Sequence, residues 1–300
     1  MDTLEALRRQ YRIDGVLDFA RNAAGAAIAV VTTPAATAEV ALAGAQVLGW
    51  QPAGQAPVIW LSPAARFVEG KAPRGGIPVC WPWFGAHTSD ATLPAHGFVR
   101  TASWRVCGAS VENGSVTLRF AYSTGEATRG MWPHDADLAL EIVISHRLRL
   151  RLATLNTGAS PFVLGQALHT YFHVGDIASA HVVGLEGQSY IDTLAGHARL
   201  RQDGPIAFAE EVDRVYLGAP QGLAIVDRAL SRRITIEAGG SASTVVWNPW
   251  IAKSARLGDM GADGYRRMLC VETANAFDDQ RRLSPGERHE LSLEIGVSTL

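Results

Sequence analysis

Apolar and polar residues alternate strictly over several stretches of the chain. Val116, Leu118, Phe120 and Tyr122 share one parity while Ser115, Thr117, Arg119 and Ala121 take the other, which is the pattern of a strand buried on one side. The same period recurs at Leu138, Leu140, Ile142 and Ile144, and at Leu148, Leu150 and Leu152 against Arg147, Arg149 and Arg151. It returns near the C-terminus at Leu291, Leu293, Ile295 and Val297. Shorter strands are predicted at 45–50, 58–61, 234–237 and 244–247, with a further apolar run over 268–271. Only residues 3–12, where Leu4, Leu7 and Tyr11 fall at helical spacing, predict a helix of any length. Many strands separated by Gly, Pro, Asn and Ser, without helices between them, argue for an antiparallel sandwich rather than a parallel α/β sheet. The expected class is therefore all-β, and the arginine stripe reads as a solvated face.

Glycine and proline are spread along the chain rather than gathered into a linker, and no internal repeat is visible. The expected organisation is a partly helical N-terminal segment over 1–25 followed by one β-sandwich domain over 26–300. The 27 basic and 29 acidic residues leave a formal charge of −2 and never form long runs. That excludes an electrostatic footprint for nucleic acid or an anionic membrane, so any anionic ligand has to be met by a few local arginines. No apolar stretch approaches the ~20 residues of a membrane span. Three widely spaced cysteines, Cys80, Cys107 and Cys270, and an N-terminus without a signal-peptide core point to a reducing, cytoplasmic setting.

Two polar residues interrupt otherwise apolar strands. His169 lies in LGQALHTYFHVGD (164–176), where an imidazole would be partly desolvated, and Glu272 follows the run Met268, Leu269, Cys270, Val271. Taken singly, each reads as a hydrogen-bonded core residue; together they suggest an acid–base pair. His169 and His173 are four apart, but on a strand that separation is roughly 13 Å, too far to share one metal ion. No metal or other cofactor is expected. The group His134, Asp135 and Asp137 reads as a polar turn, and Cys270 as a small core residue or pocket wall. The long irregular stretch from about Val68 to Ala102 carries Arg74 beside Gly75-Gly76, and His96 four residues before Arg100. Glycines allow close backbone approach and guanidinium forks suit phosphate, although a plain turn with surface arginines explains the spacing equally well. Trp81, Trp83 and Phe84 read as core or loop anchors before a sugar-stacking platform.

Taken together, RGGIPVCWPWFG, LPAHGFVR, LGQALHTYFHVGD, EEVDRVY, VVWNPWIAKSARLGDM and MLCVETANA resemble, in the same order, the motifs of the hexose-6-phosphate mutarotases, a branch of the aldose 1-epimerase family. The resemblance runs from about residue 26 to 298. It implies an antiparallel β-supersandwich of the galactose-mutarotase-like type with a sugar cleft, usually monomeric, that interconverts α and β anomers of a hexose 6-phosphate without metal or cofactor. It implies His169 as the acid toward the ring oxygen and Glu272 as the base toward the anomeric hydroxyl, the two facing each other across a gap wide enough for a pyranose ring. Asp213 would hold a sugar hydroxyl, Arg74 and Arg100 the phosphate, and His96 would line the pocket. Two departures stand out: Ala95 where some relatives carry glutamine, and Thr273-Ala274 where some carry Pro-Gly after the glutamate.

Three other readings remain open on sequence. An aldose 1-epimerase acting on unphosphorylated sugars would leave Arg74 and Arg100 structural. A retaining glycosidase would pair two carboxylates such as Asp213 and Glu272. A non-catalytic sugar-phosphate-binding sandwich would keep the cleft and lose turnover.

Overall fold

Period-two alternation becomes two large sheets in the computed structural model, which describes residues 3–218, 220 and 222–300. Among these residues a nine-stranded antiparallel sheet runs in the order Ile206–Ala207, Ala180–Val183, Ala224–Asp227, Arg232–Gly239, Arg288–Thr299, Leu148–Asn156, Ala136–Ile144, Ser115–Ser123, Arg105–Glu112. An eight-stranded sheet runs Ala198–Arg201, Ser189–Asp192, Val212–Leu217, Ser243–Asn248, Met268–Asn275, Gln166–Leu168, Val79–Cys80, with Tyr171–His173 also paired to Met268–Asn275. A four-stranded sheet spans Leu17–Arg21 to Val47–Pro52, and Phe162–Leu164 pairs with Arg281–Leu283. Among the described residues no helix is long and apolar enough to cross a membrane.

The alternating leucines and isoleucines do what their spacing requires. Leu118, Leu150, Leu152, Ile142 and Ile295 are fully buried in the main core, and each such side chain contributes ~1.5–3 kcal/mol by leaving water. On the opposite face Arg147 and Arg149 converge on Glu294, solvated pairs of little energetic weight. The inward face of the eight-stranded sheet adds Leu168, Phe172, Leu269, Val271, Val246 and Tyr216 to the same core. Its other face carries the candidate chemistry.

Several elements differ from their expected form. The strand predicted at 45–50 begins at Val47 because Gly44 and Ala45 turn at positive φ. Residues 58–61 are extended but form no ladder: Val58 donates to Trp50, Trp60 donates to Tyr171, and Ile59 and Leu61 make isolated bridges to Phe172 and Gly75. Asp137 lies inside Ala136–Ile144, not in the turn before it. An unpredicted helix, Trp250–Leu257, starts at Pro249 and ends at Gly258 in the left-handed region, start and stop signals that were legible. Within 1–25 the helix Leu4–Tyr11 appears as expected, capped by Thr3. The strand Leu17–Arg21 pairs with Ala27–Thr32 and buries Leu17 and Phe19 in the main core, so this segment is stitched into the sandwich.

A buried ion pair ties the sheets together. Arg232 (1% exposed) bonds Asp227 (0%) and donates to the carbonyls of Ala56, Pro57 and His173, while Asp227 accepts from the Gly175 backbone. This anchors the loop before Val58 and the end of Tyr171–His173. Replacing Asp227 by Ala strands a guanidinium in the interior and is expected to lower unfolding free energy in urea by ~3–5 kcal/mol; a loss below ~1 kcal/mol would show that Arg232 does not depend on this partner.

Candidate active site

Strand register builds the site. Leu168 lies opposite Thr273 and Tyr171 opposite Cys270. Continuing the count through the interruption at His169 and Thr170 sets His169 across from Glu272. The break is held by His169 N donating to Pro78 and by Val271 N donating to Thr170. Parity then puts His169, Tyr171, Cys270 and Glu272 on one face. Further pairing extends the rows: Cys270 faces Trp247, which faces Asp213, and Glu272 faces Val245.

His169 Nδ1 lies 3.3 Å from Glu272 Oε1, with side chains 10% and 2% exposed. The ring-wide gap expected between them does not exist. The reason is the register, which sets the two residues directly opposite each other on neighbouring strands so that their side chains meet. The contact lacks hydrogen-bond geometry, and His169 Nδ1 and Glu272 Oε2 are buried without partners. Burial, reinforced by His96, Arg100 and Arg74, pushes the His169 pKa well down. Burial, reinforced by Asp213, pushes Glu272 well up. Both shifts act in the direction of the uncharged imidazole and the uncharged carboxyl.

His96 is edge-on to His169, ring centroids 5.5 Å apart. Its backbone is left-handed (φ 64°), and Gly97 follows at φ 72° with no room for a Cβ, which would sit 1.8 Å from the Trp81 carbonyl. Gly85 N donates to His96 Nδ1 at 3.3 Å, which assigns the ring proton to Nε2. Burial and the two arginines push the His96 pKa down to about 3, so it is a neutral donor at ordinary pH.

Arg74 and Arg100 line one cavity of about 530 Å³, together with Arg66, Lys71 and Tyr171. Arg74 is fixed by Asp259 (3.1 Å) and the Tyr171 hydroxyl (3.2 Å); Arg100 donates to the Ala95 carbonyl. Gly75 and Gly76 give the close approach expected of them, but to the backbones of Trp60 and Val47 rather than to an open cleft. The Tyr171 ring lies parallel to His169 at 4.8 Å, joining the cavity to the buried pair. Asp213 is half-buried, 3.6 Å from Lys253, with its pKa raised by burial against that ammonium. Trp81 and Trp83 are core anchors, whereas Phe84 packs on His96. Among the described residues, the group with metal-ligand spacing is His169, Cys270 and Glu272, and His173 is not part of it.

Sequence reasoning did not single out Arg66, Lys71, Tyr171, Lys253 or Asp259. Tyr171 was detectable as the second residue after His169 on a strand; Arg66 and Lys71 lie in irregular chain with no period to mark their direction.

The sequence profile described as Aldose 1-epimerase matches residues 28–296. A protein of Escherichia coli (strain K12) provisionally named glucose-6-phosphate 1-epimerase is 40% identical over 253 residues, 84% of each chain. The chain belongs to the aldose 1-epimerase family. A Salmonella typhimurium relative with the same provisional name is 38% identical over 84% of each chain. The crystal structure of a provisionally named mutarotase from Salmonella typhimurium superposes with a TM-score of 0.90 at 35% identity, covering 97% of this chain and 96% of that one. The fold is the galactose-mutarotase-like β-sandwich, and the chain is an isomerase of the epimerase and mutarotase class.

For this epimerase, ring-nitrogen NMR is expected to show His96 and His169 neutral down to pH 6, with the His96 proton on Nε2. Titration of either ring near its ordinary value would contradict the buried geometry.

Proposed function

We propose that the protein interconverts the α and β anomers of a hexose 6-phosphate, glucose 6-phosphate first among them, using His169 and Glu272 for proton transfer. The observation that carries this reading is the position of the cation-lined cavity: Arg66, Lys71, Arg74 and Arg100 surround space that begins one aromatic ring, Tyr171, from His169. A sugar whose anomeric end meets the buried pair directs a C6 phosphate toward those cations. Arg74 and Arg100 hold the phosphate, Asp213 a sugar hydroxyl, and His96 donates from Nε2 into the cleft. The three unpaired cysteines suit a cytoplasmic setting, and we take the chain, with its sandwich domain over 26–300, to act as a monomer.

Mutarotation takes a proton from O1 and gives one to O5. The ring opens to an aldehyde, C1 rotates about the C1–C2 bond, and the steps reverse. One proton on the His169–Glu272 pair is enough. Passage of that proton from the buried carboxyl to the imidazole, across the 3.3 Å contact, leaves Glu272 as the base for O1 and His169 as the acid for O5. Uncharged resting groups need no counterion, and their opposed pKa shifts bring donor and acceptor strengths together.

Replacing Glu272 by Gln preserves shape and removes the base. Turnover of glucose 6-phosphate, followed by NMR exchange between anomers, is expected to fall at least ~10²-fold; near-normal turnover would place the base elsewhere. Replacing Arg100 by Ala should raise the Michaelis constant for glucose 6-phosphate far more than that for glucose, because a remote anchor binds without joining the proton transfers. Equal losses on both sugars would favour an epimerase of unphosphorylated aldoses.

A further inference from the structure

Cys270 is a fully buried thiol that the proton transfers do not use. It lies two residues before Glu272 on the same strand face, opposite Tyr171 in the ladder. One ligand atom from each of His169, Cys270 and Glu272 falls within 4.8 Å of the others. Tetrahedral zinc, with bonds of ~2.0–2.3 Å, holds its ligand atoms about 3.3–3.8 Å apart, so small side-chain rotations close the group. Two of its atoms, His169 Nδ1 and Glu272 Oε2, are buried with no hydrogen-bond partner, a costly arrangement unless something else meets them.

We propose that His169, Cys270 and Glu272 form a binding site for a thiophilic divalent cation, Zn²⁺ foremost, and that the bound ion blocks the epimerase. Imidazole, thiolate and carboxylate together select Zn²⁺ over Mg²⁺ or Ca²⁺, which take oxygen ligands. Coordination releases the thiol and carboxyl protons to solvent, so the thiolate and carboxylate balance the ion's two charges and neutral imidazole completes three ligands. The fourth position belongs to water, which with the ion takes up the space that the anomeric oxygens of the sugar would enter. The ion occupies the lone pairs that mutarotation needs, and so excludes proton transfer without contributing to it. Trp60, Trp247, Met260 and Met268 form a buried apolar cluster with Cys270.

The site itself rests only on geometry; the inhibition rests also on His169 and Glu272 being the catalytic pair. The test therefore has two readouts on the full chain, in a Cys107→Ser background that removes the exposed thiol. Co²⁺ added to chelator-treated protein is expected to give thiolate-to-metal charge-transfer absorption that Cys270→Ala abolishes and Cys80→Ala keeps. Buffered free Zn²⁺ is expected to inhibit anomerisation of glucose 6-phosphate in competition with the sugar. Each variant is compared with its own metal-free rate, and Cys270→Ala should need at least ~10-fold more Zn²⁺, since loss of even an outlying partner of a metal site costs that much. EDTA should restore activity and never lower it. Charge-transfer absorption without inhibition would keep the metal site and overturn the catalytic assignment of the pair. Absence of that absorption, its persistence in Cys270→Ala, or equal Zn²⁺ sensitivity of that variant would overturn the proposal.

Discussion

The antiparallel register between Gln166–His173 and Met268–Asn275 is the constraint on which the site depends. It sets His169 opposite Glu272 and Tyr171 opposite Cys270, and through the next two strands it brings Trp247 and Asp213 into the same rows. A slip of one residue would turn His169 into the main core and Thr170 toward the cleft. The register is protected from slipping because the other parity, Leu168, Phe172, Leu269 and Val271, is sealed in that core. The geometry of the His169–Glu272 pair is thus specified by apolar side chains on the other face of the sheet.

Around that pair the electrostatics divide in space. The imidazole and carboxyl sit in a dry environment that suppresses charge, while permanent cations gather at the mouth. Asp259 and Tyr171 hold Arg74 in place, and Gln46 braces the turn behind it by donating to the Gly75 carbonyl. Burial lowers His169 first, and the positive charge of Arg100 and Arg74 adds to that shift.

Period-two alternation made most of the sandwich legible, because Val116, Leu118 and Phe120, like Leu148, Leu150 and Leu152, are buried while the residues between them are half-buried or exposed. Segment 58–61 forms no ladder because its hydrogen bonds are shared among Trp50, Tyr171, His173 and Gly76, a pattern set by three-dimensional neighbours and not by local preference. Trp250–Leu257 was missed although Pro249 before it and Gly258 after it mark its ends. His169, Glu272, Asp213, Arg74, His96 and Arg100 were nameable through ordered motifs. That His169 and Glu272 touch was not: contact between strands a hundred residues apart follows from register, which no single segment states. Arg66 and Lys71 were beyond reach for a simpler reason, since irregular chain gives no rule for where a side chain points.

The division of the eight-stranded sheet into two parities also bears on how such a protein can change over time. Residues on the cleft-facing parity, among them Ser189, Ile191, Val215, Leu217 and Val245, belong to small satellite clusters or to solvent and not to the main core. Substitutions there can reshape what the cleft admits while the packing that holds the register stays intact. Selection can therefore explore new sugars on one face of a sheet while the other face preserves the scaffold, which gives this architecture room to diversify its substrates without first surrendering its fold.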